Sequence, residues 1–165
     1  MMPKIIRNLE KRILEVAMKI IKDDGINKLS IRHIAKISRI GSGTIYNYFK
    51  NKEEIILRTI EIYWKEKLKM MKNKKYNNIS DFIDDLYEAI YNYQKMYKDM
   101  WRNNNLKKIP ENRNLMIKEI ENLIKEKTKF KNPGFIIQNL MATATWNFVN
   151  YEELKKILLK GMIEC

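Results

Sequence analysis

Leu9, Ile13, Val16, Ala17 and Ile20 recur at spacings of three and four, which predicts a first helix with one apolar face. Asp23-Asp24-Gly25 ends it, and Gly25 can take the left-handed conformation that closes a helix. Asp-Gly is also a hairpin signal, but no alternating strand pattern flanks it. Ser30 then offers its hydroxyl to the free N–H groups of a second helix, IRHIAKI. Ile31, Ile34 and Ala35 point inward there, while Arg32 and Lys36 share an outer stripe. The chain turns over residues 38–41, and GSGTIYNYFK predicts a third short helix. At about 100° per residue, Ile45 and Phe49 fall on one side. Thr44, Asn47 and Tyr48 fall on the other, with Tyr46 on the flank.

From Lys52 the periodic segments lengthen. Residues 52–71 predict a long helix carrying Ile55, Ile56, Ile60, Tyr63 and Met71 opposite lysines. The polar stretch KNKKYNN leads to Ser80, a predicted N-cap, and to a helix with Phe82, Ile83, Leu86, Tyr87, Ile90 and Tyr91. A further short helix is predicted around Tyr97, Met100 and Trp101, followed by the loop NNNLKKIP. Residues 115–130 form the next helix, and Pro133 suits the first turn of another. That segment, FIIQNLMATATWNFV, is apolar nearly all round. Such a helix must be covered on both sides, and in a chain this small the second cover is plausibly another subunit. The final segment, YEELKKILLKGMI, is amphipathic through Leu154, Ile157, Leu158 and Met162. The predicted fold class is all-α, with no strand pattern and no internal repeat.

Composition narrows the function. The 165 residues carry a formal net charge of +13, which points to a polyanionic partner: DNA, RNA or an anionic membrane surface. Residues 1–52 hold 12 Lys/Arg against 4 Asp/Glu, so +8 of the excess lies in under a third of the chain. No run of about 18 apolar residues is present, so no membrane-spanning helix is expected. The first residues lack an apolar signal core, and a cytoplasmic location is expected. Cys165 is the single cysteine and His33 the single histidine. An internal disulfide, a cysteine-based zinc cluster and a polyhistidine metal site are thereby excluded. His33 reads as a surface residue. No phosphate-binding glycine loop occurs, and the carboxylates sit beside lysines on solvated faces. No cofactor, no metal and no enzymatic activity are expected.

Two short helices joined by a tight turn and packed on a longer one form a helix-turn-helix, whose second helix enters the DNA major groove. Gly43 lets a surface approach the backbone closely. The free N–H groups at the third helix's start attract phosphate.

IRHIAKISRIGSGTIYNYFKNKEEII, after ILEVAMKIIKDDGINKLS, resembles the tetracycline-repressor-type (TetR) family of regulators over about residues 7–57. The resemblance rests on order and spacing: Ser30 before Ile34-Ala35, then Gly43-Thr44-Ile45-Tyr46, Tyr48-Phe49 and Lys52-Glu53. It implies an N-terminal helix-turn-helix domain, residues 1–50, and a helical effector-binding and dimerisation domain, residues 51–165. Carried over by position, Ser30 would hold a phosphate, and Arg32 would reach a base edge or phosphate. Ser42, Gly43 and Thr44 would meet the groove. Asn47 would face bases, where its amide can pair twice with adenine. Tyr46, Tyr48 and Lys52 would grip phosphates. Two positions depart from the family pattern: Arg39 stands at the usual turn glycine, and Gly41 replaces a polar residue, which leaves Ser42 as the expected cap.

The implied function is sequence-specific transcriptional regulation by a ligand-responsive repressor. It would bind a near-palindromic double-stranded DNA operator as a homodimer formed through about residues 134–164. Tyr63, Tyr87, Tyr91, Tyr97, Met100, Trp101 and Trp146 are the candidate effector-binding residues, and as a group they suit a small apolar or aromatic effector. The helix from Lys52 would be the lever joining the two domains. The rival readings are a basic helical nucleic-acid-binding module without sequence specificity, an enzyme using a buried carboxylate, and a peripheral membrane protein.

Overall fold

Apolar residues at helical spacing, with few Gly and Pro to interrupt them, give eight α-helices and one short 3₁₀ turn, and no strand, among the described residues. The structure, a computed structural model, describes residues 8–102, 110–147 and 149–163, with side chains described except at 98–102, 110–113 and 163. The helices are α1 (Leu9–Asp24), α2 (Ile31–Ser38), α3 (Ser42–Tyr46), α4 (Lys52–Asn73), α5 (Ile79–Arg102), α6 (Pro110–Thr128), α7 (Pro133–Trp146) and α8 (Tyr151–Ile163). Packing divides the chain into two units, Met1–Tyr63 with Met96–Lys107, and Trp64–Lys95 with Lys108–Cys165.

In the first unit α1 buries Leu9, Ile13, Leu14, Ala17, Ile20 and Ile21. The buried stripe is wider than the predicted one, and Val16 sits at its half-buried edge. Gly25 has φ 82° and ψ 163°, and its N–H bonds to the Ile21 carbonyl. The positive φ needs glycine, but the extended ψ replaces the expected left-handed cap, because the chain must leave α1 into the 3₁₀ turn Ile26–Lys28. α1 packs on α2 and α2 on α3. Ile34, Ile45, Phe49 and Ile55 join this core, all 2% exposed or less. Tyr97 is fully buried, and its phenol donates to Thr59 Oγ1 at 3.4 Å. Burial pushes the Tyr97 pKa up to about 12, against the hydrogen bond. Tyr97 lies in one continuous 24-residue helix, α5, where the sequence pattern predicts two. Residues 79–102 contain neither Gly nor Pro, so nothing interrupts the backbone hydrogen bonds.

In the second unit Asn78, not Ser80, caps α5: its Oδ1 accepts from the Asp81 N–H at 2.8 Å. Phe82, Ile83, Leu86, Ala89, Ile90 and Tyr93 form the buried face of α5. α6 packs on α7 and α7 on α8. Pro133 begins α7 as predicted, and Ile136, Ile137 and Leu140 are its buried apolar stripe. Asp84 fastens α5 to α8, accepting from Tyr151 Oη at 2.5 Å and Lys155 Nζ at 2.6 Å. Burial alone would raise the Asp84 pKa. The hydrogen bonds from Lys155 and Tyr151, with the charge of Lys155, outweigh it and hold the carboxyl below its ordinary value. The same geometry drives the Tyr151 phenol upward, through burial first and then the neighbouring carboxylate.

Candidate nucleic-acid interface

α2 is short, so its ends matter most. Ser30 has extended backbone, and its Oγ accepts from the His33 N–H at 3.1 Å. This satisfies one of the donors that a helix start leaves free. His33 is accounted for structurally: its ring Nδ1 lies 3.2 Å from the Lys28 carbonyl, which accepts its proton. At the other end the Arg39 N–H bonds to the Lys36 carbonyl and the Ile40 N–H to the Ala35 carbonyl. That pair of bonds is a Schellman closure, which requires a left-handed residue where Arg39 stands. Arg39 accordingly has φ 55° and ψ 45°. From α1, Arg12 Nη2 donates to the Ser38 carbonyl at 3.5 Å and supports the same turn.

α3 has five residues and begins after Gly41, which occupies the cap position without a side-chain bond. Ser42 is therefore the first helical residue and not the cap expected from the sequence. Ile45 is the helix's single buried residue, and Phe49 just beyond it is also buried. Gly43, Tyr46 and Asn47 are exposed, while Ser42, Thr44 and Tyr48 are half-buried. A Cβ built on Gly43 would meet nothing within 4 Å. The chain's own packing therefore does not require glycine there. Asn51 starts α4 by accepting from the Glu54 N–H at 2.9 Å, and Glu54 accepts from the Lys50 N–H at 2.7 Å. This reciprocal pair resembles a capping box and fixes the backbone that carries Lys50 and Lys52.

The electrostatics single out the same segment. Residues 25–52 contain no Asp or Glu. Arg32, Lys36, Arg39, Lys50 and Lys52 make no ion pair among the described residues. Elsewhere in the unit some cations are paired: Lys11 with Glu15 at 3.7 Å, and Arg58 with Glu10 at 3.9 Å and Glu61 at 3.8 Å. A surface of unpaired cations around a short polar helix can neutralise phosphates at no cost in broken ion pairs. Lys36, Arg39 and Lys50, which are not among the candidate site residues, lie in the same acid-free run.

Residues 13–59 match the model for bacterial regulatory proteins of the tetR family. This segment matches the DNA-binding part of the TetR family. An uncharacterised HTH-type transcriptional regulator of Bacillus subtilis, YuxN, is 38% identical over 55 residues, covering 33% of this chain and 19% of that protein. An HTH-type transcriptional regulator of Staphylococcus aureus is 35% identical over 66 residues, 38% of this chain and 36% of that one. The chain spans well under half the length of those relatives, and the family model matches within its first unit. A TetR family protein from Vibrio parahaemolyticus shares the fold with a TM-score of 0.55 at 16% identity, covering 94% of this chain and 97% of that one. A TetR-family regulator from Haemophilus influenzae does so with a TM-score of 0.51 at 16% identity, covering 94% of each chain.

The aromatic candidates for effector binding are divided between the two units. Tyr63 and Tyr97 are buried in the first unit. In the second, Tyr87 stacks on Tyr151 with ring centroids 3.8 Å apart, and Tyr91 lies 6.0 Å from Tyr87. Trp146 is 63% exposed at the end of α7. The side chains of Met100 and Trp101 lie outside the described residues. Trp64, absent from the sequence-based set, is buried with its ring 5.4 Å from Tyr93. Its place on the lysine-bearing helix α4 concealed it. A groove of about 370 Å³ in the second unit is lined by Lys65, Leu68, Lys69, Lys72, Glu119 and Asn122, among others, and by none of the aromatic candidates.

Proposed function

We propose that this chain is a sequence-specific DNA-binding transcriptional regulator. In this reading residues 1–50 bind the duplex, and residues 51–165 dimerise and receive an effector. α3 enters the major groove with Ser42, Gly43, Thr44 and Asn47 against base edges and Tyr46 alongside. Ser30, Arg32, Tyr48 and Lys52 grip the flanking phosphates. The observation that carries the proposal is the acid-free segment 25–52, whose exposed cations lack ion-pair partners around a helix pinned from beneath by Ile45. The protein acts in the cytoplasm, where its operator is.

The dimer forms through about residues 134–164. Supporting this, Phe135, Trp146 and Ile157 on α7 and α8 are 48%, 63% and 61% exposed, and large apolar side chains left in water favour association. Two recognition helices then meet half-sites roughly 34 Å apart on a near-palindromic operator. A small effector represses binding only if it prefers the dimer geometry that does not fit the operator.

Selection from a random-sequence duplex library tests the reading. The enriched duplex should outcompete the starting library by about a thousandfold or more. Equal affinity for enriched and random duplexes would replace this proposal with a sequence-independent nucleic-acid-binding module.

A further inference from the structure

Arg39 is an outlier that folding does not need. Its φ of 55° and ψ of 45° lie in the left-handed region, where a side chain costs energy and Gly or Asn is favoured. The Schellman closure of α2 uses only its backbone N–H. Its side chain is exposed and forms no ion pair or hydrogen bond among the described residues. Lys129 shares the left-handed backbone, with φ 57°, but lies outside the acid-free segment; at Arg39 the idle side chain is available to act outside the chain. Arg39 stands between the exposed cations Arg32 and Lys36 of α2 and the start of α3 at Ser42, within the segment that holds no carboxylate. Its guanidinium is planar and permanently charged, the side chain best suited to a phosphate diester.

We infer that Arg39 is an additional phosphate clamp, supplied by the turn itself, which fixes the entry of α3 into the duplex. This rests on the DNA-binding reading above and adds a residue to it. The clamp neutralises one backbone phosphate and reads no base, so its loss weakens binding to all duplexes alike and reduces the counterions released.

The full chain is compared with Arg39→Asn and Arg39→Lys on the duplex that the unsubstituted protein enriches from a random library. Asn tolerates the left-handed conformation without the charge, and Lys keeps the charge. Arg39→Asn should melt at or above the temperature of the unsubstituted chain. Its slope of log affinity against log salt should be shallower by about 0.9. Its relative deficit should therefore shrink by about 3.5-fold between roughly 50 and 200 mM salt. Arg39→Lys should retain the steeper slope. An unchanged slope in Arg39→Asn, with the unsubstituted chain binding normally, overturns the clamp alone. Failure of the unsubstituted chain to enrich any duplex overturns the clamp together with the reading beneath it.

Discussion

Ser30 has one observed role and one proposed role, and substitution can separate them. Its Oγ accepts the His33 N–H at 3.1 Å and so caps α2, and in the proposed complex it also faces a phosphate. Ser30→Ala removes both roles. Loss of such a cap costs about 1 kcal/mol, which in a chain of this size lowers the melting temperature by about 2–4 °C. Ser30→Asp restores the cap, because Asp accepts as well as Ser at this position and its charge favours a helix start. Thermal melting by circular dichroism should therefore place Ser30→Asp at or above the unsubstituted protein and Ser30→Ala below it. Duplex binding should rank differently. A carboxylate about 5 Å from a phosphate is repelled by about 1–3 kcal/mol for effective dielectric constants of roughly 80 to 20. Fluorescence anisotropy with labelled duplex should then show affinity reduced roughly fivefold to a hundredfold for Ser30→Asp, more than for Ser30→Ala. If Ser30→Asp bound as tightly as the unsubstituted chain, no phosphate would sit at this helix start, and Ser30 would be only a cap.

The remaining expectations concern the two units separately. Ile45→Ala should destabilise the first unit by about 2–5 kcal/mol, because Ile45 is 0% exposed; a urea midpoint change worth under about 1 kcal/mol would contradict its anchoring role. Gly43→Ala should leave melting unchanged or slightly raised, since its Cβ meets nothing within the chain and alanine favours helix. It should weaken duplex binding, and unchanged binding would show that no surface approaches the backbone there. The depressed Asp84 pKa means that its contribution to stability is present above the ordinary carboxylate pKa of about 4 and is lost as pH falls through its lower folded value. Asp84→Asn should therefore be less stable than the parent near neutral pH, with the gap closing in acid; a constant gap down to pH about 2 would contradict the ionised clamp to Tyr151 and Lys155.

Legibility in the sequence followed the physics of each signal. The apolar periodicities of α1, α2, α4 and α8 were readable because each helix has a wet face and a dry one, and the period shows only where they contrast. The α5 region read as two helices because Tyr91, Lys95 and Tyr97 blur that contrast. The decisive fact was negative, the lack of any breaker across residues 79–102. Caps were mixed. Ser30 was found, but Asn78 won over Ser80 and Gly41 over Ser42, because a cap is chosen by where the backbone leaves helical geometry and not by side-chain chemistry alone. The candidate interface residues could be named together because they form one local segment. The partners of the aromatic residues were not legible, since residues distant in sequence meet only through packing: Tyr87 meets Tyr151 on α8, and Tyr97 meets Thr59 on α4.

A helix of five residues cannot hold itself together in water, since nucleation costs more than so few hydrogen bonds return. α3 exists because Ile45 and Phe49 are buried beneath it, because the closure at Arg39 aims the chain into it, and because the Asn51–Glu54 pair locks the chain beyond it. All of these supports lie beneath or beside the helix, and none uses Gly43, Tyr46 or Asn47. The outer residues are therefore decoupled from folding. Changing them should alter which duplex is chosen at small cost in stability, whereas changing Ile45 or Phe49 should remove the reader altogether. In the proposed reading that separation would let a small head of fixed architecture serve different operators, and it predicts that Asn47 substitutions redistribute sequence preference while the unfolding free energy stays within about 0.5 kcal/mol of the parent.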